Sequence, residues 1–305
     1  MGRTWVLLLV LLLACAAVAQ NQNAALNLDH VTVCGADLDA MRHAFATVGL
    51  STDYAGPHSN SGTHMAQLGF DDGSYVELIA PEEPNQPLPA RAPWPKEIQG
   101  NAGPCGWTVN VSQIEAAVER FRLRGLDAST PAPGGRLRPD RVVLEWETAA
   151  LAHGADRRLP FLIQDHTPHN LRAPLSPSLR HTELSGVAAV VLAVQDLDGS
   201  IAFFQRAFGW SAPLVGIDRA LNARVASFPG TPVMLAAPLA ADSWLADRLR
   251  RFGEMPVAVL LGSHDLAASR ARFHLTGAGE VAGRKLAWFD PAQLGGVRLG
   301  IVASQ

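Results

Sequence analysis

The amino-acid sequence predicts an α+β fold made of four βαβββ modules grouped into two domains. The order of strand-like and helix-like runs recurs along the 305 residues, as expected for a duplicated supersecondary unit. The stretch LDHVTVCGADLD at 28–39 returns in outline as VAAVVLAVQDLD at 187–198. A composition of 48% hydrophobic and 17% charged residues is sufficient for two domains with cores of their own.

The first module begins with a strand-like run of β-branched residues at 28–34. Asp37 is a typical N-cap, and the apolar residues that follow at helical spacing predict a helix that ends at Gly49. Further strands are predicted at 51–57, 64–70 and 74–80. The last two are joined through Asp72-Gly73, a pair that is typical of a two-residue hairpin turn.

The same order of elements is predicted three more times. The predicted elements are a strand at 106–111, a helix at 114–124 and strands at 141–147 and 159–164; a strand at 187–194, a helix at 197–208 and strands near 222–229 and 232–237; and a strand at 256–261, a helix at 265–273 and strands near 285–289 and 296–302. The Pro- and Gly-rich residues 130–135 are expected to form a loop.

A Pro-rich stretch separates the two predicted domains. Residues 166–183 are expected to form a linker, in which His166 and His169 would be solvated. The predicted domains are therefore residues 26–165, with the candidate site, and residues 184–305.

Residues 1–19 have the pattern of a secretory signal peptide. Arg3 precedes an apolar run, and residues 17–19 match an A-x-A cleavage site. The sequence therefore predicts export to the periplasm or the extracellular space. The alternative is a lipoprotein, because residues 12–15 resemble a lipobox in which Cys15 would carry the lipid. No later stretch is long enough for a transmembrane helix.

The charge and the cysteines restrict the expected partners and the compartment. A formal net charge of −3 gives no electrostatic reason to expect nucleic acid, so a small molecule is the expected partner, and a homodimer is left open. Without the leader only Cys34 and Cys105 remain. They form either a disulfide, as an oxidising compartment would allow, or two buried thiols near strand ends.

Several motifs then follow one another in a characteristic order: Leu28-Asp29-His30-Val31, Asp37-Leu38-Asp39, Gly62-Thr63-His64 and the run from Asp72 to Pro81. With these motifs the chain resembles the vicinal oxygen chelate (VOC) superfamily, and its first half resembles the glyoxalase-like branch. The resemblance implies that each domain pairs two βαβββ units whose curved sheets surround a cleft. In many members a divalent metal ion is held there by residues of the first and last strands of each unit.

Strand periodicity indicates which side chains of the first module face this cleft. Successive side chains point to opposite faces, so residues two apart share a face. His30 and Thr32 on the first strand, and Tyr75 and Glu77 on the fourth, are therefore expected to face the cleft. We predict His30 and Glu77 as metal ligands, and Thr32 and Tyr75 as substrate contacts.

His64 is the third predicted ligand. A two-residue turn at Asp72-Gly73 pairs Leu68 with Glu77, which places His64 on the same face. Two imidazoles and a carboxylate suit a divalent ion such as zinc, iron, nickel or manganese. Glu77 could instead act as a catalytic general base.

The other modules depart from this pattern. By register, Trp107 stands where metal-binding relatives often have a histidine, and Gln164 offers a weak fourth ligand on the last strand of the second module. Trp107 is either a stacking surface for the substrate or a core residue. In the third module Ala189 and Met234 stand in place of His30 and Glu77, so the second domain is expected to lack a metal.

Three functions are consistent with the sequence. The first is an exported, metal-dependent lyase, isomerase or ring-cleaving dioxygenase that acts on a small substrate with vicinal oxygens. The second is a non-catalytic protein that binds or sequesters a small molecule in the same cleft. The third is a structural envelope protein whose degenerate sites are relics.

Overall fold

The computed structural model describes residues 26–59, 61–84, 86–90, 92–281 and 283–304. It confirms the α+β fold: four βαβββ modules form two eight-stranded sheets. The predicted leader, with its cleavage site and Cys15, lies outside the described residues. Within the described parts of the chain, no helix is both long and apolar enough to cross a membrane.

The first sheet combines the strands of the first two modules. Its elements are β1 (Asn27–Cys34), α1 (Leu38–Thr47), β2 (Asp53–Pro57), β3 (Thr63–Gly69), β4 (Tyr75–Pro81), α2 (Pro95–Gln99), β5 (Gly103–Asn110), α3 (Ile114–Leu123), β6 (Ala132–Leu137), β7 (Val143–Ala150) and β8 (Phe161–Asp165). The strand order is β2-β3-β4-β1-β5-β8-β7-β6, with β1 and β5 antiparallel at the centre. The edge strands β2 and β6 contact each other, so the sheet is strongly curved.

The prediction of a loop at residues 130–135 was wrong, because most of this stretch belongs to strand β6. Residues 132–135 belong to β6 and pair with β7, and Pro133 lies opposite Glu147. Strand β6 is the last strand of the sheet, and an edge strand tolerates proline because one row of its backbone groups has no partner strand.

The hairpin between β3 and β4 has a different register from the predicted one. Glu77 pairs with Gln67 rather than with Leu68. The backbone N–H of Phe70 donates to the carbonyl of Ser74 at 2.9 Å, and Gly73 has a φ of +84°. The loop therefore has three residues and ends in a left-handed glycine, a common alternative to the two-residue turn.

The second sheet repeats the arrangement with the last two modules. The linker contains α4 (His169–Arg172), and the second domain comprises β9 (Leu184–Ala193), α5 (Leu197–Phe208), β10 (Leu214–Asp218), β11 (Ala223–Ser227), β12 (Val233–Pro238), α6 (Trp244–Phe252), β13 (Pro256–Ser263), α7 (Leu266–Arg272), β14 (Thr276–Val281), β15 (Arg284–Trp288) and β16 (Arg298–Ala303). The strand order is β10-β11-β12-β9-β13-β16-β15-β14. The division of the chain into domains at the linker stays a prediction.

One face of the second sheet is filled by apolar side chains. Ala189 and Met234, the residues in place of His30 and Glu77, are both buried in a cluster with Leu245 and Leu249 of α6. The site that holds polar residues in the first domain is therefore occupied here by hydrophobic packing.

Cys34 and Cys105 form a disulfide, with Cα atoms 5.9 Å apart. This settles the alternative that the sequence left open in favour of the bridge. The bond joins β1 to β5, the two central strands, and packs with Ile79, Ile98 and Met255. It therefore links the two modules of the first domain beside the candidate site.

Candidate functional site

A cavity of about 540 Å³ lies on the concave face of the first sheet. Its polar lining comes from both modules and from the linker, and its apolar lining includes four aromatic side chains, those of Tyr75, Trp94, Trp146 and Phe161. The lining includes His30, His58, Tyr75, Glu77, Trp94, Thr108, Arg136, Trp146, Phe161 and Arg172. A volume of several hundred cubic ångströms is typical of sites for small molecules.

His30 is held in one orientation by the residue before it. Its Nδ1 lies 2.6 Å from Oδ1 of Asp29, and because an ionised carboxylate only accepts, Nδ1 is the protonated nitrogen. The Nε2 atom is 3.1 Å from the hydroxyl of Thr108, and the ring stacks on Tyr75 with centroids 4.5 Å apart. With Nδ1 protonated, Nε2 accepts from the Thr108 hydroxyl, and the ring borders the cavity.

Asp29 is itself ion-paired with Arg172. The Nη1 and Nη2 atoms of Arg172 donate to the two carboxylate oxygens of Asp29 at 2.9 and 2.6 Å. Burial alone would raise the pKa of Asp29, but the hydrogen bonds from Arg172 and His30 outweigh burial and hold the pKa well below its usual range. Asp29 is thus a permanent carboxylate behind His30.

Glu77 lies between two imidazoles. Its Oε2 accepts from the hydroxyl of Thr32 at 2.7 Å and lies 3.7 Å from Nε2 of His30, and its Oε1 lies 3.3 Å from Nε2 of His58. Burial raises the pKa of this carboxyl, but His58, His30 and Thr32 together lower it to about 2. The side chain is therefore ionised at neutral pH.

His58 takes the position that we predicted for His64. Its Nδ1 lies 3.1 Å from the hydroxyl of Thr63, which leaves Nε2 directed at Glu77. The backbone N–H of His58 donates to the carbonyl of Thr63 at 2.8 Å, so His58 closes the hairpin between β2 and β3. The available sequence signal was a histidine directly after the strand that neighbours β3, five residues before Thr63.

His64 does not reach the cavity. It shares a face with Ala66 and Leu68, which are buried in the core cluster of the helix-facing side, and its ring meets Tyr54 edge to face at 5.9 Å. The one-residue difference in hairpin register is the cause, since such a shift moves every side chain of a strand to the other face.

The two site residues predicted in the second module, Trp107 and Gln164, also lie outside the cavity. Trp107 is 1% exposed in the core, and its Nε1 donates to the carbonyl of Arg158 at 2.9 Å. The amide oxygen of Gln164 accepts from the backbone N–H of Ile114 at 2.7 Å, at the N-terminus of α3. Neither residue borders the cavity. Of the other two predicted substrate contacts, Tyr75 lines the cavity, whereas Thr32 is buried behind Glu77.

The positions equivalent to His30 and Glu77 in the second module are Gly106 and Phe161. His30 lies eight residues before the first residue of α1, as Gly106 lies eight before the first residue of α3. Thr32 pairs with Glu77 on β4, as Thr108 pairs with Phe161 on β8. The second module therefore has no metal-ligand-type side chains at the positions that correspond to His30 and Glu77.

Trp94 covers these two positions. A Cβ atom added to Gly106 would lie 2.5 Å from Cζ2 of Trp94, and the indole meets the ring of Phe161 edge to face at 5.8 Å. Trp94 and Phe161 thus form an aromatic wall opposite the polar groups. Trp94 and Trp146, rather than Trp107, are the indoles that line the cavity and could stack on a ligand.

The linker also contributes to the site. Arg172 of α4 donates to Asp165 as well as to Asp29, and His169 lies 2.8 Å from Asp165 and 2.9 Å from the carbonyl of Gly73. His169 is therefore anchored rather than solvated as predicted. Burial raises the pKa of Asp165, but Arg172 and His169 outweigh it and lower the pKa to about 2.

Asp29, Asp165 and His169 present ligand-type atoms within 4.8 Å of one another. The Nη2 atom of Arg172 is 2.6 Å from Asp29, 2.9 Å from Asp165 and 3.2 Å from Nδ1 of His169. Because the guanidinium already lies among these atoms and supplies the positive charge, we interpret the group as an ion-pair network rather than as a metal site.

Two curved sheets of paired βαβββ modules, with a histidine on the first strand and a carboxylate on the last strand of one module, place the chain in the VOC superfamily. The glyoxalase-like domain model matches residues 28–208, more than half of the chain. The chain belongs to this glyoxalase-like domain family.

Several solved structures are similar to this chain at low sequence identity. A hypothetical protein from Staphylococcus aureus is 12% identical with a TM-score of 0.60, over 92% of this chain and 100% of that one. Methylmalonyl-CoA epimerase from Mycobacterium tuberculosis is 24% identical with a TM-score of 0.37, over 42% of this chain and 93% of that one. The Streptomyces coelicolor methylmalonyl-CoA epimerase in complex with 2-nitronate-propionyl-CoA is 20% identical with a TM-score of 0.35, over 40% and 98%. No curated protein matches the chain.

Proposed function

We propose that this protein is a metal-dependent enzyme of the glyoxalase-like kind, in which His30, His58 and Glu77 hold a divalent ion. One observation carries the proposal: the Glu77 carboxylate lies between two imidazole Nε2 atoms, at 3.7 Å from His30 and 3.3 Å from His58. Each imidazole is anchored through its Nδ1 atom, by Asp29 and Thr63 respectively. Such outer partners orient metal-ligating histidines.

The donor types suit a metal ion. Bonds of about 2.1 Å to nitrogen and oxygen in tetrahedral geometry separate neighbouring ligand atoms by about 3.4 Å. The two separations around Glu77 are close to this value but involve different oxygens of the carboxylate. Among the described residues these three side chains do not form a group whose ligand atoms all lie within 4.8 Å of one another, so the imidazoles would have to close around the ion. Two histidines and one carboxylate suit zinc, iron, nickel or manganese and leave coordination positions open. The ion would polarise a carbonyl or hold two neighbouring oxygens of the substrate.

The protein side chains around these ligands would have separate tasks. Asp29 and Thr63 hold the imidazoles, and Thr32 holds the carboxylate. Trp94 and Phe161 would pack against the substrate and exclude water. With a pKa of about 2, Glu77 is a weak base at neutral pH, so we propose it as a ligand rather than as the general base.

The second candidate is a protein that binds a small molecule in this cavity without turnover. The replacement of the second pair of ligand-type residues by Gly106 and Phe161 favours it. The cavity and its aromatic wall would serve a ligand equally well in the absence of a metal ion.

Elemental analysis of the protein, purified without added metal or chelator, tests the first candidate. We expect about one equivalent of a transition metal in the wild type and a loss of most of it in the His30→Ala variant. A wild-type protein that holds no metal, even after incubation with each of the four ions, would contradict the metal-dependent enzyme and leave the binding protein.

We also propose that the chain is exported. The leader pattern at 1–19 is the basis, and the Cys34–Cys105 disulfide supports it, because stable disulfides are typical of oxidising compartments. Mass spectrometry of the mature N-terminus tests the proposal. A chain that begins at Gln20 indicates signal-peptide cleavage, one that begins at a lipidated Cys15 indicates a lipoprotein, and a chain that retains residues 1–19 contradicts export.

A further inference from the structure

Arg136 on β6 is a buried guanidinium that borders the cavity. It is 5% exposed. Its Nη1 donates to the carbonyl of Ala55, and its Nη2 lies 3.4 Å from the amide oxygen of Gln67 and 3.3 Å from the carbonyl of Arg172. All three acceptors are neutral, so they hold the side chain in place without balancing its charge.

Arg172 provides a direct comparison within the same cavity. Arg172 is 2% exposed and forms ion pairs with two carboxylates, those of Asp29 and Asp165. Among the described residues, Arg136 has no carboxylate oxygen within 4.0 Å of its nitrogens. A buried charge without a counter-ion is costly, and an anion in the cavity would remove that cost.

The two carboxylates on the strands that flank Gln67 are already engaged. Asp53 pairs with Gln67 across β2 and β3, and its Oδ2 accepts from the hydroxyl of Ser176 at 2.6 Å. Gln67, which accepts from Arg136, pairs with Glu77 across β3 and β4, but the oxygens of Glu77 lie against Thr32, His58 and His30. An anion bound by Arg136 would therefore lie beside the proposed metal ligands rather than replace one of them.

The surroundings of Arg136 favour a small anion with an apolar body. Gly134, two residues before it, lies under the indole of Trp146, whose Nε1 occupies the space that a side chain at Gly134 would need. Trp146 and Phe161 line the same cavity. Most of the N–H donors of Arg136 are already in use, and its guanidinium can balance only one negative charge. A carboxylate, with one negative charge, therefore suits this position better than a phosphate dianion.

We propose that Arg136 binds the carboxylate of a small organic acid whose other functional groups face His30 and Glu77. This inference deepens the proposed function, on which the placement of the reacting groups rests. The carboxylate subsite itself depends only on Arg136 and the cavity, so the two proposals can fail separately.

Benzoate and benzamide are suitable probes, because they share a ring that fits the cavity and differ in charge. A ligand-observed NMR titration of the full-length protein, treated with a chelator and then dialysed, measures both dissociation constants without a metal. We expect benzoate to bind about tenfold more tightly than benzamide, as a charge-assisted hydrogen bond would give. Inorganic phosphate is expected to compete weakly, and tight competition by phosphate would overturn the assignment to carboxylates.

The Arg136→Gln variant should lose the preference for benzoate. Arg120 is an exposed residue of α3, so the Arg120→Gln variant makes the same change in net charge and should retain the preference. Arg136→Lys keeps the charge without the guanidinium fork and should retain part of the preference. It provides the test if Arg136→Gln does not fold. An unchanged ratio of the two dissociation constants in folded Arg136→Gln or Arg136→Lys would show that Arg136 has only a structural role.

The metal content of Arg136→Gln separates this proposal from the proposed function. We expect the variant to hold the same metal equivalent as the wild type. A protein without metal that still prefers benzoate supports the subsite and contradicts the metal-dependent enzyme. A preference for benzoate that disappears with the metal in the wild type contradicts the subsite, because the carboxylate would then have bound the ion.

Discussion

Arg172 and Asp29, 143 residues apart in the sequence, form a two-point ion pair behind the imidazole of His30. The pair connects the linker to the first strand of the chain's first module. It also fixes the hydrogen-bond acceptor that orients His30. A segment that would be expected only to join two domains is thereby part of the support of the candidate site.

Replacement of Arg172 is expected to be strongly destabilising. The Arg172→Met change keeps much of the side-chain volume but leaves Asp29 and Asp165 without their cationic partner. The loss of one partner of a buried ion pair costs about 3–5 kcal/mol of the free energy of unfolding. Urea denaturation measures the change.

Arg180 provides the matched control for this variant. It is an exposed arginine of the same predicted linker, and Arg180→Met should change the free energy of unfolding by less than about 0.5 kcal/mol. A similarly small change in Arg172→Met would mean that the ion pair does not contribute to the stability of the fold.

Acid is expected to destabilise the protein through Glu77. Its folded-state pKa of about 2 lies below the ordinary value of 4.5, so the ionised side chain stabilises the fold above pH 4.5. That contribution, on the order of 3 kcal/mol, is lost as the pH falls from about 4.5 towards 2. Urea denaturation at several pH values between 2 and 6 measures the slope.

The Glu77→Gln variant tests the assignment to this carboxyl, because glutamine does not titrate. The slope of stability against pH should become shallower, and the part that remains should come from groups such as Asp165, whose pKa is also lowered to about 2. An unchanged slope would mean that Glu77 has the same pKa in the folded and unfolded chain.

His58 and His64 form a matched pair for the metal proposal. They lie six residues apart on one hairpin, yet only His58 directs a nitrogen at Glu77. Loss of an outer partner of a metal ligand typically lowers metal affinity 10–100-fold, so loss of a ligand in His58→Ala should lower it by at least about tenfold. Competition with a chromophoric chelator measures the affinity.

His64→Ala is expected to leave metal affinity unchanged, since its ring packs against Tyr54 outside the cavity. The opposite result, in which His64→Ala loses the metal and His58→Ala retains it, would indicate that the β3–β4 hairpin has the two-residue turn after all.

The same hairpin explains which part of the site could be predicted from the sequence. The faces of His30 and Glu77 depend only on alternation within one strand, which is fixed by backbone geometry. The face of His64 relative to Glu77 depends on the number of residues in the loop. A DG pair is compatible with a two-residue turn or with the three-residue loop that ends in Gly73, and the choice between them reverses the face.

Contacts between distant segments could not be predicted in this way. His58 reaches Glu77 because β2 lies beside β3, and Arg172 reaches Asp29 because the linker turns back onto the first sheet. Neither contact leaves a periodic signal in the sequence. The position of Gly106, in contrast, was available from counting: it precedes α3 by the same eight residues that separate His30 from α1.

Gly106 supplies the last prediction, because it tests the aromatic wall. A methyl group at this position would lie 2.5 Å from the indole of Trp94, so Gly106→Ala must displace the ring. Overpacking of this kind costs about 1–3 kcal/mol. Gly216 on β10 is the control, since an added Cβ there meets nothing within 4 Å, and Gly216→Ala should change the free energy of unfolding by less than about 0.5 kcal/mol.

A double-mutant cycle with Trp94→Leu identifies the cause of the loss. Because the smaller side chain leaves room for the methyl group, Gly106→Ala should cost at least about 1 kcal/mol less in the Trp94→Leu background than in the wild type. An equal cost in both backgrounds would locate the strain in the backbone of β5 instead. The predicted coupling follows from the arrangement of the site: the position that holds a histidine in the first module is kept small in the second, and Trp94 fills the space.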